Sequence, residues 1–295
     1  MNEINRTKEY MELLNVAKEN IGNTAYVTIF LFLFTSASVI GLQILFINNI
    51  LPYWAHLIIS SYLFYCMYTP LHEAIHGNIS GKNKKLTLLN NVIGSLSAYF
   101  YLHSYTQHKW SHLRHHKYAN DPRLDPDYII KGSNWGSIIL RSFFLLLIKD
   151  FFYAPRDEIK NEPGTRRAMN IGSFESLMPI VLIIILTNYL NLPWYHFIIS
   201  YVIPLLFAVT LLGVFFDYLV HMPHKSNEKF GDTNVIRIKS WLDYPMTMIW
   251  LFQNYHGIHH LFPRIPFYRY KKVFVASEKN LEKLGLPIFT IGKNK

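Results

Sequence analysis

Residues 194–221 read WYHFIISYVIPLLFAVTLLGVFFDYLVH, and this stretch decides the fold. From Trp194 to Tyr218 it carries a single charge, Asp217 near its far end, and three residues later stands His221. A helix needs roughly 20 apolar residues to cross about 30 Å of hydrocarbon. The run 194–218 is longer than that, so its helix is expected to protrude or to kink at Pro204.

Three further runs match it. Residues 25–47 hold no charge, residues 53–71 lie between Pro52 and Pro70, and residues 176–193 contain the string from Ile180 to Leu186. Asn48–Pro52 joins the first two runs and Asn191–Pro193 the last two, so each pair is expected to form a tight hairpin. Of the 29 Lys and Arg residues, 3 fall in 1–23, 14 in 72–173 and 12 in 220–295, which leaves none at either hairpin tip. The positive-inside rule then puts both termini and the middle segment in the cytoplasm. The expected architecture is all-α: one domain over 1–295, four transmembrane helices in two hairpins, and a cytoplasmic helical cap made of 72–175 and 219–295. The segment before the first span, with Lys8, Glu12, Lys18 and Glu19, is too polar and too long for a cleaved signal peptide.

The net charge of +10 suits loops beside anionic headgroups. A docking face for an acidic electron carrier is a second use for it. Nucleic acid is not expected as a partner, because the basic residues are spread over loops next to the membrane. The one cysteine, Cys66, lies inside a span, which excludes a disulfide, an iron–sulfur cluster or a Cys-x-x-Cys-His haem attachment within the chain.

Of the 14 histidines, only His56 and His196 sit near the outer tips. The others cluster on the cytoplasmic side. His72 and His76 are four residues apart; His112, His115 and His116 repeat a three-and-four spacing, and so do His256, His259 and His260. Asp217 and His221 are also four apart. On a helix such positions share a face, with Cβ atoms about 5–6 Å apart. Each group can therefore aim two or three imidazoles at one point. Nine histidines exceed the needs of one zinc, which takes about four ligands, and suit two metals. His108 and His224 extend the groups without being required by them. His56, His103 and His196 read as hydrogen-bonded interfacial residues.

Imidazole serves several metals, so the count does not choose among them. Position does: a cluster at the membrane face has hydrocarbon as its natural substrate, and attacking an alkyl C–H bond needs a redox metal, which zinc is not. One competitor is written in the chain. His72-Glu73-Ala74-Ile75-His76 matches the zinc-protease pattern His-Glu-x-x-His, with Glu as general base. That reading leaves seven regularly spaced histidines unexplained. Asp121, Asp125 and Asp127 follow the second group closely enough to accept the outer ring N–H of bound histidines, or else cap Asp-Pro turns. Glu73 has the same two readings.

The three histidine groups, their order and the span layout resemble the integral membrane fatty acid desaturase superfamily. The resemblance implies a di-iron centre held by His72, His76, His112, His115, His116, His221, His256, His259 and His260, with no catalytic residue beyond these ligands. Asp217, Glu73, Asp121, Asp125, Asp127, His108, His224 and Asn254 stand as possible metal or supporting residues. His221 is preferred to His224 because it keeps the four-residue spacing from Asp217. The strings from His112 to Asp127 and from Gln253 to Phe267 are similar to the boxes of cyanobacterial-type β-carotene hydroxylases. That implies O₂-dependent hydroxylation of a carotenoid-like lipid, with fatty acyl desaturation as the alternative. Two electrons would come from a separate ferredoxin or cytochrome. The segments Val92–Tyr105 and Ile138–Tyr153 read as interfacial helices, whose Tyr99, Phe100, Phe143 and Phe144 could line a hydrocarbon tunnel.

Overall fold

The computed structural model describes residues 8–145, 149–162 and 164–292. It is mostly helical. In chain order the elements are α1 Lys8–Asn20, α2 Tyr26–Ile47, α3 Tyr53–Ile75, α4 Thr87–Phe100, α5 Tyr105–Tyr118, α6 Trp135–Leu145, α7 Lys149–Tyr153, α8 Thr165–Tyr189, α9 Trp194–His221, β1 Val235–Ile238, α10 Asp243–Ile249, α11 His256–Leu261, α12 Tyr270–Lys283 and β2 Ile288–Ile291.

Both expected turns are present and use the same local chemistry, but only α2 and α3 pack along each other as a hairpin; α8 packs mainly on α5. Asn49 and Asn191 adopt left-handed backbone, with φ of 56° and 53°, just beyond α2 and α8. Asparagine tolerates that region better than most residues. Pro52 and Pro193 then stand immediately before α3 and α9, where a fixed φ and a missing N–H cost nothing.

Among the described residues, three helices are long and apolar enough to cross a membrane. They are α2 with 22 residues, α8 with 25 and α9 with 28, at mean hydropathies of 2.2, 1.9 and 2.4. The sequence reading and the structure differ in two places. The 23-residue helix α3 is not in this apolar set: its tyrosines and serines, with His56, lower its hydropathy, and many of these polar side chains are buried in the protein. The helix that carries the third run, α8, starts at Thr165, eleven residues before the apolar run expected from 176.

The chain is also not purely helical. β1 and β2 form a parallel two-stranded sheet, with Val235 opposite Ile288 and Ile238 opposite Ile291. Each strand has four residues, too few for alternation to be read as a pattern.

Helix α9 is interrupted by two π turns, Ile198–Val202 and Leu212–Tyr218. A π turn replaces i→i+4 bonding by i→i+5 and frees carbonyls. The freed Ser200 carbonyl accepts from His56 Nε2 at 2.8 Å and from Gln43 Nε2 at 2.9 Å, which ties α3, α2 and α9 together. His56 is thus the hydrogen-bonded structural residue the sequence suggested. The expected irregularity near Pro204 takes the form of this first π turn, two residues upstream.

The core runs from α3 outward. Phe64, Met67, Leu71 and Ile75 are buried with Leu205 and Val209 of α9 on one side and Ile258 and Phe274 of the C-terminal region on the other. The N-terminal helix α1 buries Tyr10, Leu13 and Ala17, spaced at helical intervals, against α12.

Candidate metal centre

Four helices deliver the histidines. His72 lies in the last turn of α3 and His76 caps it. The three-and-four spacing on α5 and on α11 places His112, His115 and His116, then His256, His259 and His260, along single faces. His221 ends α9.

The start of α5 is fixed by polar contacts. Ser104 Oγ accepts from Gln107 N at 3.0 Å, an N-cap worth about 0.5–2 kcal/mol. From α8, Glu175 accepts from Ser104 Oγ at 2.5 Å, Thr106 N at 3.0 Å and Thr106 Oγ1 at 2.8 Å. Gly172, one turn earlier on α8, leaves room for Gln107; a Cβ there would sit 2.8 Å from Gln107 Cβ. Further along α5, Ser111 donates to Asp150 at 2.8 Å, and Arg114 pairs with Glu162 and donates to Tyr153 at 3.1 Å. A span and the short helix α7 thus hold the helix that carries three of the histidines.

The nine histidines gather in two groups. In one, ring nitrogens of His72, His76, His112, His116 and His259 all lie within 4.8 Å of one another; in the other, those of His115, His221, His256 and His260 do. The groups adjoin, the rings of His116 and His260 stacking at 4.2 Å between centroids.

The outer nitrogens explain how the rings are aimed. His115 Nδ1 donates to Asp125 Oδ1 at 2.9 Å, with Asp127 Oδ2 at 3.4 Å. His221 Nδ1 donates to the Asp232 carbonyl at 3.2 Å, and His260 Nδ1 to the Asp232 carboxylate at 3.2 Å. His256 Nδ1 faces Gln253 Oε1 at 3.0 Å, and His259 Nδ1 faces the Tyr270 hydroxyl at 2.9 Å. Each such partner fixes a tautomer and turns Nε2 inward.

Those inward nitrogens fit a cation. Carbonyl and carboxylate oxygens only accept, so His115, His221 and His260 keep their protons on Nδ1 and present bare lone pairs at Nε2. Yet His115 Nε2 and His221 Nε2 face each other at 3.1 Å. His112 Nε2 lies 2.9 Å from His76 Nε2 and 3.0 Å from His116 Nε2, more than one shared proton can satisfy. His260 Nε2 and both nitrogens of His72 are buried with no hydrogen-bond partner. A positive ion in each group satisfies all of these atoms at once except the second nitrogen of His72, since an imidazole offers one ion a single lone pair. All-nitrogen donor sets suit iron as well as zinc or copper.

Electrostatics agree. Burial holds His112, His116, His256, His259 and His260 well below the ordinary histidine range, and repulsion among the imidazoles adds to it, so they stay neutral and able to ligate. Burial pulls His115 down too, but the charge and hydrogen bond of Asp125 win and raise it. Positive charge is wanted on that imidazole, from a proton or a metal.

The remaining candidates separate. Asp125 and Asp127 back His115. Asp121 does not join them: its Oδ1 accepts from Arg123 N and Leu124 N, which is loop capping. Glu73 is fully buried and accepts from Asn78 at 3.1 Å, with no histidine as partner. Asn254 donates to the Ile236 carbonyl and Thr247, a structural role. His108 faces the Tyr68 hydroxyl at 3.2 Å and His224 is occupied by Asn120 and the Tyr218 carbonyl; neither enters a group. Asp217 stays outside them as well, although its charge reaches His115 and its side chain lines the cavity beside that ring. Three supporting residues escaped the sequence reading: Asp232, Gln253 and Tyr270. Gln253 stands three residues before His256, a helical spacing that signals it; Asp232 and Tyr270 arrive from elsewhere in the chain and leave no local signal.

Beside the histidines lies a small cavity of about 60 Å³. Its wall includes His112, His115 and His256 from the two groups, apolar Leu71, Leu212 and Phe216, and polar Tyr68, Tyr101, Lys149 and Asp217. Tyr99, Phe100 and Phe143, expected as tunnel residues, are not among the lining residues, and Phe143 packs on Phe207 instead. The side chain of Phe144 lies outside the described residues.

No curated protein matches the chain. The family model described as fatty acid desaturase matches residues 48–292, most of its length. With the histidine groups, the supporting oxygens and the apolar helices α8 and α9 all falling within that match, the chain belongs to the fatty acid desaturase family.

Proposed function

We propose that this protein is a multi-pass membrane enzyme with two non-haem irons that hydroxylates a C–H bond of a carotenoid-like lipid, using O₂ and electrons from a ferredoxin or cytochrome. In this reading α2, α3, α8 and α9 are four spans, both termini are cytoplasmic, and the chain forms a single domain. The observation that carries it is the cavity wall: one apolar pocket meets histidines of both groups. When bound, the irons would supply the oxidising power to take hydrogen from an unactivated carbon, with O₂ and two electrons.

The protein's own share is positioning. His72, His76, His112, His116 and His259 would hold one ion, and His115, His221, His256 and His260 the other. Asp125 and Asp232 orient rings of the second group through hydrogen bonds at 2.9 and 3.2 Å. Leu71, Leu212 and Phe216 exclude water and pack the hydrocarbon. Tyr68, Tyr101 and Asp217 give the pocket polar contacts, which a pure hydrocarbon would leave unanswered. That favours a second reading, an acyl lipid whose head group meets these side chains and whose chain is desaturated.

Two measurements test the proposal. Freshly purified protein should hold two irons per chain and little zinc; one zinc and no iron would overturn it. Expression in a bacterium that makes β-carotene, with pigments and lipids analysed together, separates the substrates. Hydroxylated rings support the first reading and new acyl double bonds the second. A tag in the Asn48–Pro52 loop should be reachable only from outside the cell.

A further inference from the structure

The segment Trp241–Trp250, WLDYPMTMIW, is short, and its one charge is Asp243. It is too brief to read as a span, and nothing in the metal centre uses it. Its surface is unusual for a loop on a cytoplasmic cap. Trp241 is 82% exposed, Tyr244 60% and Ile249 54%, and Leu242, Met246 and Met248 are exposed beside them. Contiguous apolar exposure of this kind marks a membrane or partner surface.

Its contacts say which. The Tyr62 hydroxyl donates to the Ile249 carbonyl at 3.0 Å, and the Tyr65 hydroxyl to the Trp250 carbonyl at 3.4 Å. Tyr62 and Tyr65 stand ten and seven residues before His72 on α3, roughly 15 and 10 Å toward the outer hairpin tip. From α9, the Phe215 carbonyl, freed by the second π turn, accepts the Trp250 indole N–H at 2.7 Å. Two helices therefore hold the end of this segment well to the membrane side of the histidines. Its other end returns to polar ground, where Asp243 pairs with Lys271 at 2.8 Å. Between segment and helices runs an apolar groove walled by Tyr62, Tyr65, Leu211, Phe215, Met246 and Ile249. On the same two helices, one turn or so nearer the outer tips, Ile58, Ile59 and Phe207 are exposed as well.

We propose that Trp241–Trp250 dips into the bilayer from the cytoplasmic side as a re-entrant piece, and that the groove holds the acyl chain of a bilayer lipid. The segment's backbone is helical over α10, the Tyr62 and Tyr65 hydroxyls answer its Ile249 and Trp250 carbonyls, and its Trp250 indole answers the Phe215 carbonyl, so it carries these polar groups into hydrocarbon satisfied. This rests on the reading of α3 as a span.

The test uses full-length protein in phosphatidylcholine nanodiscs, with Cys66→Ala removing the single native thiol. Nitroxide is attached at Met246→Cys or Ile249→Cys, with Ile58→Cys on α3 and Lys279→Cys on α12 as references. Collision with O₂ and with a water-soluble nickel chelate is then compared. The expected result is that positions 246 and 249 favour O₂ several-fold, as Ile58 does, while Lys279 favours the chelate. Chelate collisions at the Lys279 level would overturn the inference, and so would low collision with both reagents, the mark of a second copy seated there. If Ile58 itself reads as water-exposed, the spanning role of α3 fails first. A phosphatidylcholine with a photoreactive acyl chain should label peptides bearing Met246 or Phe215; labelling confined to α2 and α8 would overturn the groove assignment.

Discussion

His115 and His221, 106 residues apart in sequence, face each other Nε2 to Nε2 at 3.1 Å, while the Nδ1 of each is committed to an oxygen. Two neutral imidazoles held this way have no proton to share. Substituting His221→Ala should therefore remove one cation site, lowering iron from about two per chain to about one and abolishing turnover. His224→Ala, whose ring is bonded to Asn120 and Tyr218, should keep both irons. Metal analysis of the two purified variants distinguishes them.

Asp125 has no route to the metal except through His115. Asp125→Asn keeps its shape but loses the charge behind the imidazole, and it should weaken metal binding about 10–100-fold. Asp121→Asn, which disturbs only the loop cap, should leave affinity within about twofold of the parent. Competition with a graded series of chelators reads both.

Gly172 sets how closely α8 approaches α5. Gly172→Val places atoms where Gln107 now sits, and overpacking of this kind costs about 1–3 kcal/mol. The variant should unfold at lower temperature in detergent. Gln107→Ala in the same chain should return part of the loss, because it removes the amide that lies 2.7 Å from the added Cβ while the Cβ contact at 2.8 Å remains.

Acid should destabilise the iron-free protein. His112, His116, His256, His259 and His260 have folded values below the ordinary histidine pKa, whereas in the unfolded chain they protonate near 6.5. Below about 6.5 the unfolded state binds more protons, so stability falls as pH drops, by up to about 1.4 kcal/mol per pH unit for each histidine. His115, raised by Asp125, acts oppositely: its contribution is present below 6.5 and lost as pH rises through its folded value. Five against one leaves the acid loss dominant. Thermal unfolding of stripped protein should be nearly flat from about pH 8 to 7 and fall steeply below about 6.5; a flat profile down to about pH 5 would refute it.

The sequence by itself determined the apolar helices, the turns that join them and all nine clustered histidines. These features repeat at fixed local intervals: long apolar runs, Asn and Pro at turns, and three-and-four spacing on one helix face. Asp125 and Asp127 were within reach for the same reason, lying near His115 in the chain. The tertiary structure alone decided the division of the histidines into groups of five and four, because His259 parts from His256 and His260 only when α3, α5 and α11 meet. It brought Asp232 and Tyr270 behind the histidines, from positions that no helical period links to them. It also lowered Trp241–Trp250 to the depth of Tyr62, a placement fixed by hydrogen bonds between residues 187 positions apart. Local periodicity reports which way a side chain faces on its own element; which element it then meets depends on packing across the whole chain.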